Sequence, residues 1–144
     1  MQPFNYTTGV VMRCMLITLI CAAALGGCAT HLVPMSETTP VPKERILAQG
    51  VTTPASGRQR VTVVRNAGAL FAGGVSVDVL VDGDRTAAIR TSEALSLYLP
   101  PGEHLLTTKV GGITASVPVM VPGRFPIYRI DMTEDDMKLQ SSFE

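Results

Sequence analysis

The residues that could carry chemistry in this chain are few. It holds three cysteines, Cys14, Cys21 and Cys28, and two histidines, His31 and His104. Nucleophilic catalysis needs a base beside the nucleophile, and His104 is the one histidine in the β-rich part of the sequence. Ser92, Ser96 and Ser116 stand in strand or turn contexts without a Gly-x-Ser-x-Gly elbow. Asp82 and Asp84 flank Gly83, but a calcium loop needs further oxygen ligands at fixed spacing, so the three residues read as a turn. Glu134-Asp135-Asp136 reads as a solvated acidic run rather than a cation site. His104, with no cysteine beyond Cys28 and only His31 as a second imidazole, does not make a metal site. The pairs Gly73-Gly74 and Gly111-Gly112 open no helix and make no phosphate loop. The expectation is therefore no catalytic residue, no cofactor and no metal.

Cys28 is the exception, because its setting gives it a chemical fate. Leu16 to Leu25 is apolar, Arg13 precedes it, and Leu25-Gly26-Gly27 leads into the cysteine. The uncharged stretch from Met15 to Leu25 is shorter than the roughly 18 to 20 residues that span a bilayer. A basic start, an apolar middle and small residues at the end read as a secretory signal. Leu25-Gly26-Gly27-Cys28 resembles the lipobox of a bacterial lipoprotein. The resemblance implies removal of residues 1–27 and lipidation of Cys28 as the first mature residue. An ordinary signal peptide, or a buried helix that contains a cysteine, are the alternatives. Met12-Arg13 makes a tidier start than Met1, and the residues before it add nothing to the pattern. Each buried CH₂ of an acyl chain contributes about 0.8 kcal/mol, and two lipid signals already anchor stably. The three chains that the resemblance implies hold the protein on a membrane through Cys28.

Cleavage there would remove Cys14 and Cys21, and no cysteine follows Cys28. The mature domain then has neither a disulfide nor a free thiol in an oxidising compartment. Its length suits one small domain. The chain has 12 basic and 12 acidic residues, and loss of Arg13 tips that balance by one toward acid. No basic field exists for nucleic acid or anionic lipid. With no Trp, four Phe and three Tyr, stacking platforms for bases or sugars are scarce.

Ala29 to Pro42, with Pro34, Pro40 and Pro42, reads as an extended tether, with a root-mean-square reach on the order of 20 Å if flexible. Pro42 to Gln49 has the signals of two helical turns, with Pro at the first position and Gly50 at the stop. Val51 to Gln59 reads as a loop. From Arg60 the pattern changes to short β-branched runs between turn residues. The candidate strands are Arg60–Arg65, Val75–Val81, Thr86–Arg90, Leu95–Leu99, His104–Val110, Ile113–Val121 and Pro126–Met132. Val75, Val77, Val79 and Val81 share one face, as do Leu95, Leu97 and Leu99. Asp82-Gly83-Asp84 and Pro100-Pro101-Gly102-Glu103 are turn signals. Pro118 places its strand at an edge or a bulge. The expectation is an all-β fold, a small antiparallel β-sandwich of about seven strands. Its divisions are a signal peptide over 1–27, a lipidated tether with a short helix over 28–59, the sandwich over 60–133, and an acidic, polar tail over 134–144.

Val63-Val64-Arg65, the Val81-Asp82-Gly83 turn and Leu99-Pro100-Pro101-Gly102-Glu103-His104 resemble small DUF2846-type lipoprotein domains and the PEGA domain. The order Pro-Gly-Glu departs from the PEGA motif itself. The resemblance covers about Val41 to Met132 and implies a compact all-β extracytoplasmic module without catalytic residues.

Two functions fit. One is a non-catalytic, lipid-anchored interaction or structural module on the periplasmic face of a membrane, with an envelope protein as partner. Ala29, rather than Asp, after Cys28 points to the outer membrane by the sorting rule of such lipoproteins. The other is a module binding cell-wall glycan or a small ligand, which requires a pocket with convergent polar groups; the low aromatic count weakens it, and a pocket lined by Tyr98, Tyr128 and Arg129 would revive it. Leu70 and Phe71, in a loop of small residues, are candidate partner contacts, or fold inward to cap the sandwich.

Overall fold

The computed structural model describes residues 30–68, 74–133 and 135–144. Two sheets face each other. One has five strands in the order β1 (Thr39–Pro40), β5 (Glu93–Leu99), β2 (Gln59–Arg65), β8 (Ile127–Met132) and β9 (Met137–Ser142). The other has four, in the order β4 (Asp84–Ile89), β3 (Val77–Val81), β6 (Gly102–Val110) and β7 (Ile113–Val121). The all-β sandwich and its seven expected strands are present, and the ends of the chain add two more.

Local chemistry explains most of these elements. Val77, Val79 and Val81 of β3 and Leu95, Leu97 and Leu99 of β5 point into the space between the sheets, and their neighbours face outward. Period-two alternation puts one apolar row on one face of each strand. Val75 lies before β3 and is partly exposed. Asp82 at φ 53° and Gly83 at φ 91° form a two-residue hairpin turn whose positive φ values match the strand twist. In β2 the alternation disappears, and Val63 and Val64 are both fully buried. That strand is central in its sheet and covered on both faces.

The sheet is mixed rather than purely antiparallel. β2 runs parallel to β8 (Val63 beside Tyr128) and β1 parallel to β5 (Thr39 beside Glu93). A parallel pair needs a long crossover. Here the whole β3–β7 passage, most of it the second sheet, lies between β2 and β8.

Of the expected tether, residues 30–42 are docked rather than free. His31 N–H bonds the Ala67 carbonyl at 3.0 Å, Thr39 N–H the Ser92 carbonyl at 3.0 Å, and Val41 N–H the Ala94 carbonyl at 3.1 Å. Val33 is 4% exposed and Val41 joins the core. These two valines, isolated among Thr, Ser and Pro, supply the burial that holds the strap down.

The two helical turns expected over Pro42 to Gln49 are replaced by a 3-10 turn, Lys43–Arg45, and a bridge from Ile46 to Ala87. A single α-turn follows at Gln49–Thr52, so Gly50 lies inside a turn rather than after one. Edge pairing wins over a helix too short to stand alone. A bulge in β4 at Thr86 leaves its carbonyl to accept Leu47 N–H at 2.8 Å and Ala48 N–H at 3.1 Å.

The acidic tail is also part of the fold. β9 pairs antiparallel with β8, Met137 is buried, and Leu139 packs on the core. Thr133 N–H to the Asp136 carbonyl (2.9 Å) closes the intervening turn. Asp135 and Asp136 therefore lie just before a last strand rather than in a solvated tail. β7 is an edge strand, as Pro118 required.

Candidate functional site

His104 lies near the start of β6, just after the Pro100–Gly102 turn, with its side chain 11% exposed. Its Nδ1 is 2.7 Å from Asp82 Oδ2, and its Nε2 is 2.9 Å from the Pro100 carbonyl oxygen. Both partners can only accept, so both ring nitrogens carry protons and the ring is an imidazolium. Burial opposes that charge. The Asp82 carboxylate and the Pro100 carbonyl outweigh burial and raise the pKa above the usual histidine value. Asp82 is held below the usual carboxylate range, first by its bond with His104 and also by Leu105 N–H, which donates to Oδ1 at 2.8 Å. With neither ring nitrogen carrying a free lone pair, His104 is no base and no metal ligand in this state. It clamps the β3–β4 turn to the β5–β6 turn.

At the same end, Phe125 and Phe143 pack with ring centroids 4.7 Å apart and their planes tilted by 50°, and the Arg124 guanidinium lies 5.4 Å from the Phe143 ring. Phe143 lies just after β9, and these contacts hold the last residues against the β7–β8 turn.

A second polar cluster lies under the strap. Arg129 is 2% exposed, and its Nη1 donates to the Val33 carbonyl and to Asn66 Oδ1, each at 2.9 Å. Asn66 Oδ1 also accepts Val33 N–H at 3.2 Å, and Asn66 Nδ2 donates to Asp131 Oδ1 at 2.8 Å. Arg129 Nε donates to the Glu144 carbonyl. Desolvation lowers the Arg129 pKa, and Asp131 and Glu144 oppose that effect. The cluster ties together the strap, the end of β2, β8 and the chain terminus. Tyr128, the preceding residue, points the other way, into the core. Adjacent strand residues face opposite sides, so Tyr128 and Arg129 do not line one pocket with Tyr98, and the observation that would favour a ligand-binding module is not met.

Arg45 and Glu93 make a third cluster. Arg45 Nη1 donates to Glu93 Oε2 at 2.8 Å and to the Ala88 carbonyl at 3.0 Å, and Nη2 donates to Glu93 Oε1. Arg90 N–H also donates to Glu93 Oε2, at 2.7 Å. Burial alone would raise the Glu93 pKa, but these donors bring it below the usual value. The hydrogen bond from Arg45 to Glu93 raises the Arg45 pKa in turn.

Sequence reasoning missed the latter two clusters as units. The available signal was charge inside apolar strands, as with Arg129 between Tyr128 and Ile130. Cys28, Leu70 and Phe71 lie outside the described residues. Among the described residues no group of three or more His, Cys, Asp or Glu is placed to hold a metal, and no helix is long and apolar enough to cross a membrane. A surface cleft of about 320 Å³ is lined by Ser76, Asp78, Arg85 and Lys109 among others, and Arg85 closes on Asp78 at 2.6 Å.

No family model, no curated protein and no solved structure matches this chain. Its functional reading therefore rests on its own residues.

Proposed function

We propose that this chain is a non-catalytic, lipid-anchored envelope protein, a β-sandwich interaction or structural module held by acylated Cys28 on the periplasmic face of the outer membrane. The observation that carries this reading is Leu25-Gly26-Gly27-Cys28 at the end of a short apolar run. Two further observations support it. The folded domain accounts for residues almost directly after Cys28, beginning with the bridge at His31. The described residues include no cysteine, and His104 has both ring nitrogens engaged in clamping two turns. Kinship with DUF2846-type and PEGA modules belongs to the same proposal and rests on the turn motifs alone.

The test is Cys28→Ser, expressed beside the wild type with labelled palmitate and followed through membrane and soluble fractions. The wild type takes the label and sediments with membranes, and the variant does neither. A variant that stays membrane-bound, together with an unlabelled wild type, would overturn the reading.

A further inference from the structure

We propose that one particular end of the sandwich, the end bearing Leu32 and Val75, rests on the lipid surface to which Cys28 is attached. The inference depends on the lipidation of Cys28 and goes beyond it by fixing which way the domain faces.

The strand directions define two ends. β2 and β8 run parallel, so Arg65 and Met132 finish at the same end. β5 is antiparallel to β2 and starts there, at Glu93. Arg65 Nη1 reaches the Ile89 carbonyl at 3.4 Å, Val77 pairs with Ile89 and Lys109 with Asp78, so the start of β3 and the β6–β7 turn are there too. His31 is bonded to Ala67, just past the end of β2. The chain therefore enters the domain at this end. The His104–Asp82 clamp and the Arg124–Phe125–Phe143 cluster lie at the other.

The entry point is close to the lipid. Cys28 precedes His31 by three residues, a span of at most about 11 Å when fully extended. A free tether through Pro42 would let the domain tumble above the bilayer. A strap bonded from His31 onward removes that freedom and leaves only Ala29 and Thr30 between lipid and domain.

The entry point, not apolar exposure, chooses the end, since Met120 and Phe143 at the other end are 57% and 59% exposed. Leu32, beside the bridge, is 56% exposed, and Val75, before β3, is 39% exposed, so the near end offers apolar contact to lipid once the anchor brings it there. Carboxylates also lie here, Asp131 and Asp136, in a cleft of about 250 Å³ with Lys138 and Thr30. Anionic lipid would not attract them, so the covalent anchor and apolar contact hold the face down, rather than ion pairing.

The test uses the full lipidated protein, whose mature chain offers no other thiol. Leu32→Cys and Val75→Cys report on the near end, and Asp84→Cys and Glu103→Cys on the far end. All four positions are surface-exposed. Each variant carries a nitroxide and is reconstituted into phosphatidylcholine–phosphatidylethanolamine vesicles. Collision rates are then measured with a water-soluble nickel chelate and with oxygen, which concentrates in lipid. The expected result is several-fold less nickel collision and more oxygen collision at the near-end labels than at the far-end ones. Equal accessibility at both ends, with Cys28 acylated by mass spectrometry on the same sample, would overturn the orientation and leave the anchor standing. Absence of acylation would overturn the anchor itself, and the orientation with it. Thermal unfolding of each labelled variant confirms that it is folded before its result counts.

Discussion

His104 and Asp82, separated by 22 positions in the chain, meet at 2.7 Å and join two turns at one end of the sandwich. The pair makes stability depend on pH in a defined direction. The folded pKa of His104 is raised above about 6.5, so its contribution is fully present below that pH and is lost as pH rises through the folded value. The folded pKa of Asp82 is lowered, so its contribution holds above about pH 4 and is lost as pH falls through the folded value. Asp82→Asn keeps an acceptor for Leu105 N–H and tolerates the positive φ. The variant should lose most relative to wild type at about pH 5 to 6, with the difference shrinking as pH rises through the raised His104 pKa. Asp82 is half exposed, so the largest difference is about 1 kcal/mol or less. Denaturant midpoints of both proteins across this range check it. A difference that does not vary with pH would contradict the imidazolium assignment.

The strap gives a second prediction. Val33→Ala removes two buried methyl groups and should lower stability by about 2 kcal/mol. A freely moving tether would show no change. Urea unfolding of the mature domain with and without the substitution separates the two.

Arg45→Ala leaves the buried Glu93 carboxylate without its bidentate partner. The pair is partly exposed, so the cost lies between surface and fully buried pairs, about 2 kcal/mol. Arg45→Ala combined with Glu93→Gln should recover part of that loss, because no uncompensated charge remains. A double-mutant cycle by chemical denaturation reads the coupling, and a coupling of zero would contradict it.

Gly123 tests the β7–β8 turn. A Cβ placed there would lie 2.1 Å from the Met120 carbonyl oxygen, a backbone atom that cannot swing aside. Gly123→Ala should cost about 1 to 3 kcal/mol. By contrast, the cost at Gly50, where a Cβ meets nothing, should be smaller. Thermal midpoints of the two variants, measured in parallel, make the comparison.

Much of the sandwich was legible in the sequence because its signals are local. The valines of β3 and the leucines of β5 alternate within single strands, and Asp82-Gly83 carries its own turn chemistry. Other features depend on partners that are far apart in sequence. Val33 and Val41 show no periodicity, and only the sheet beneath them makes them core residues. Met137 and Leu139 stand behind an acidic run that hid a strand. The parallel pairing of β2 with β8 has no local signature, because the strands are separated by the whole β3–β7 passage. His104 and Asp82 were each legible as turn residues, but their meeting depends on β3 pairing with β6. Arg129 and Asn66 required the strap to be docked before they could be seen as one network.

The central claim concerns Cys28, and the most direct measurement is the intact mass and N-terminal fragmentation of the mature protein extracted from membranes. The account predicts a chain beginning at Cys28, with acyl chains on that residue. A chain beginning elsewhere, or Cys28 recovered as a free thiol, would contradict it.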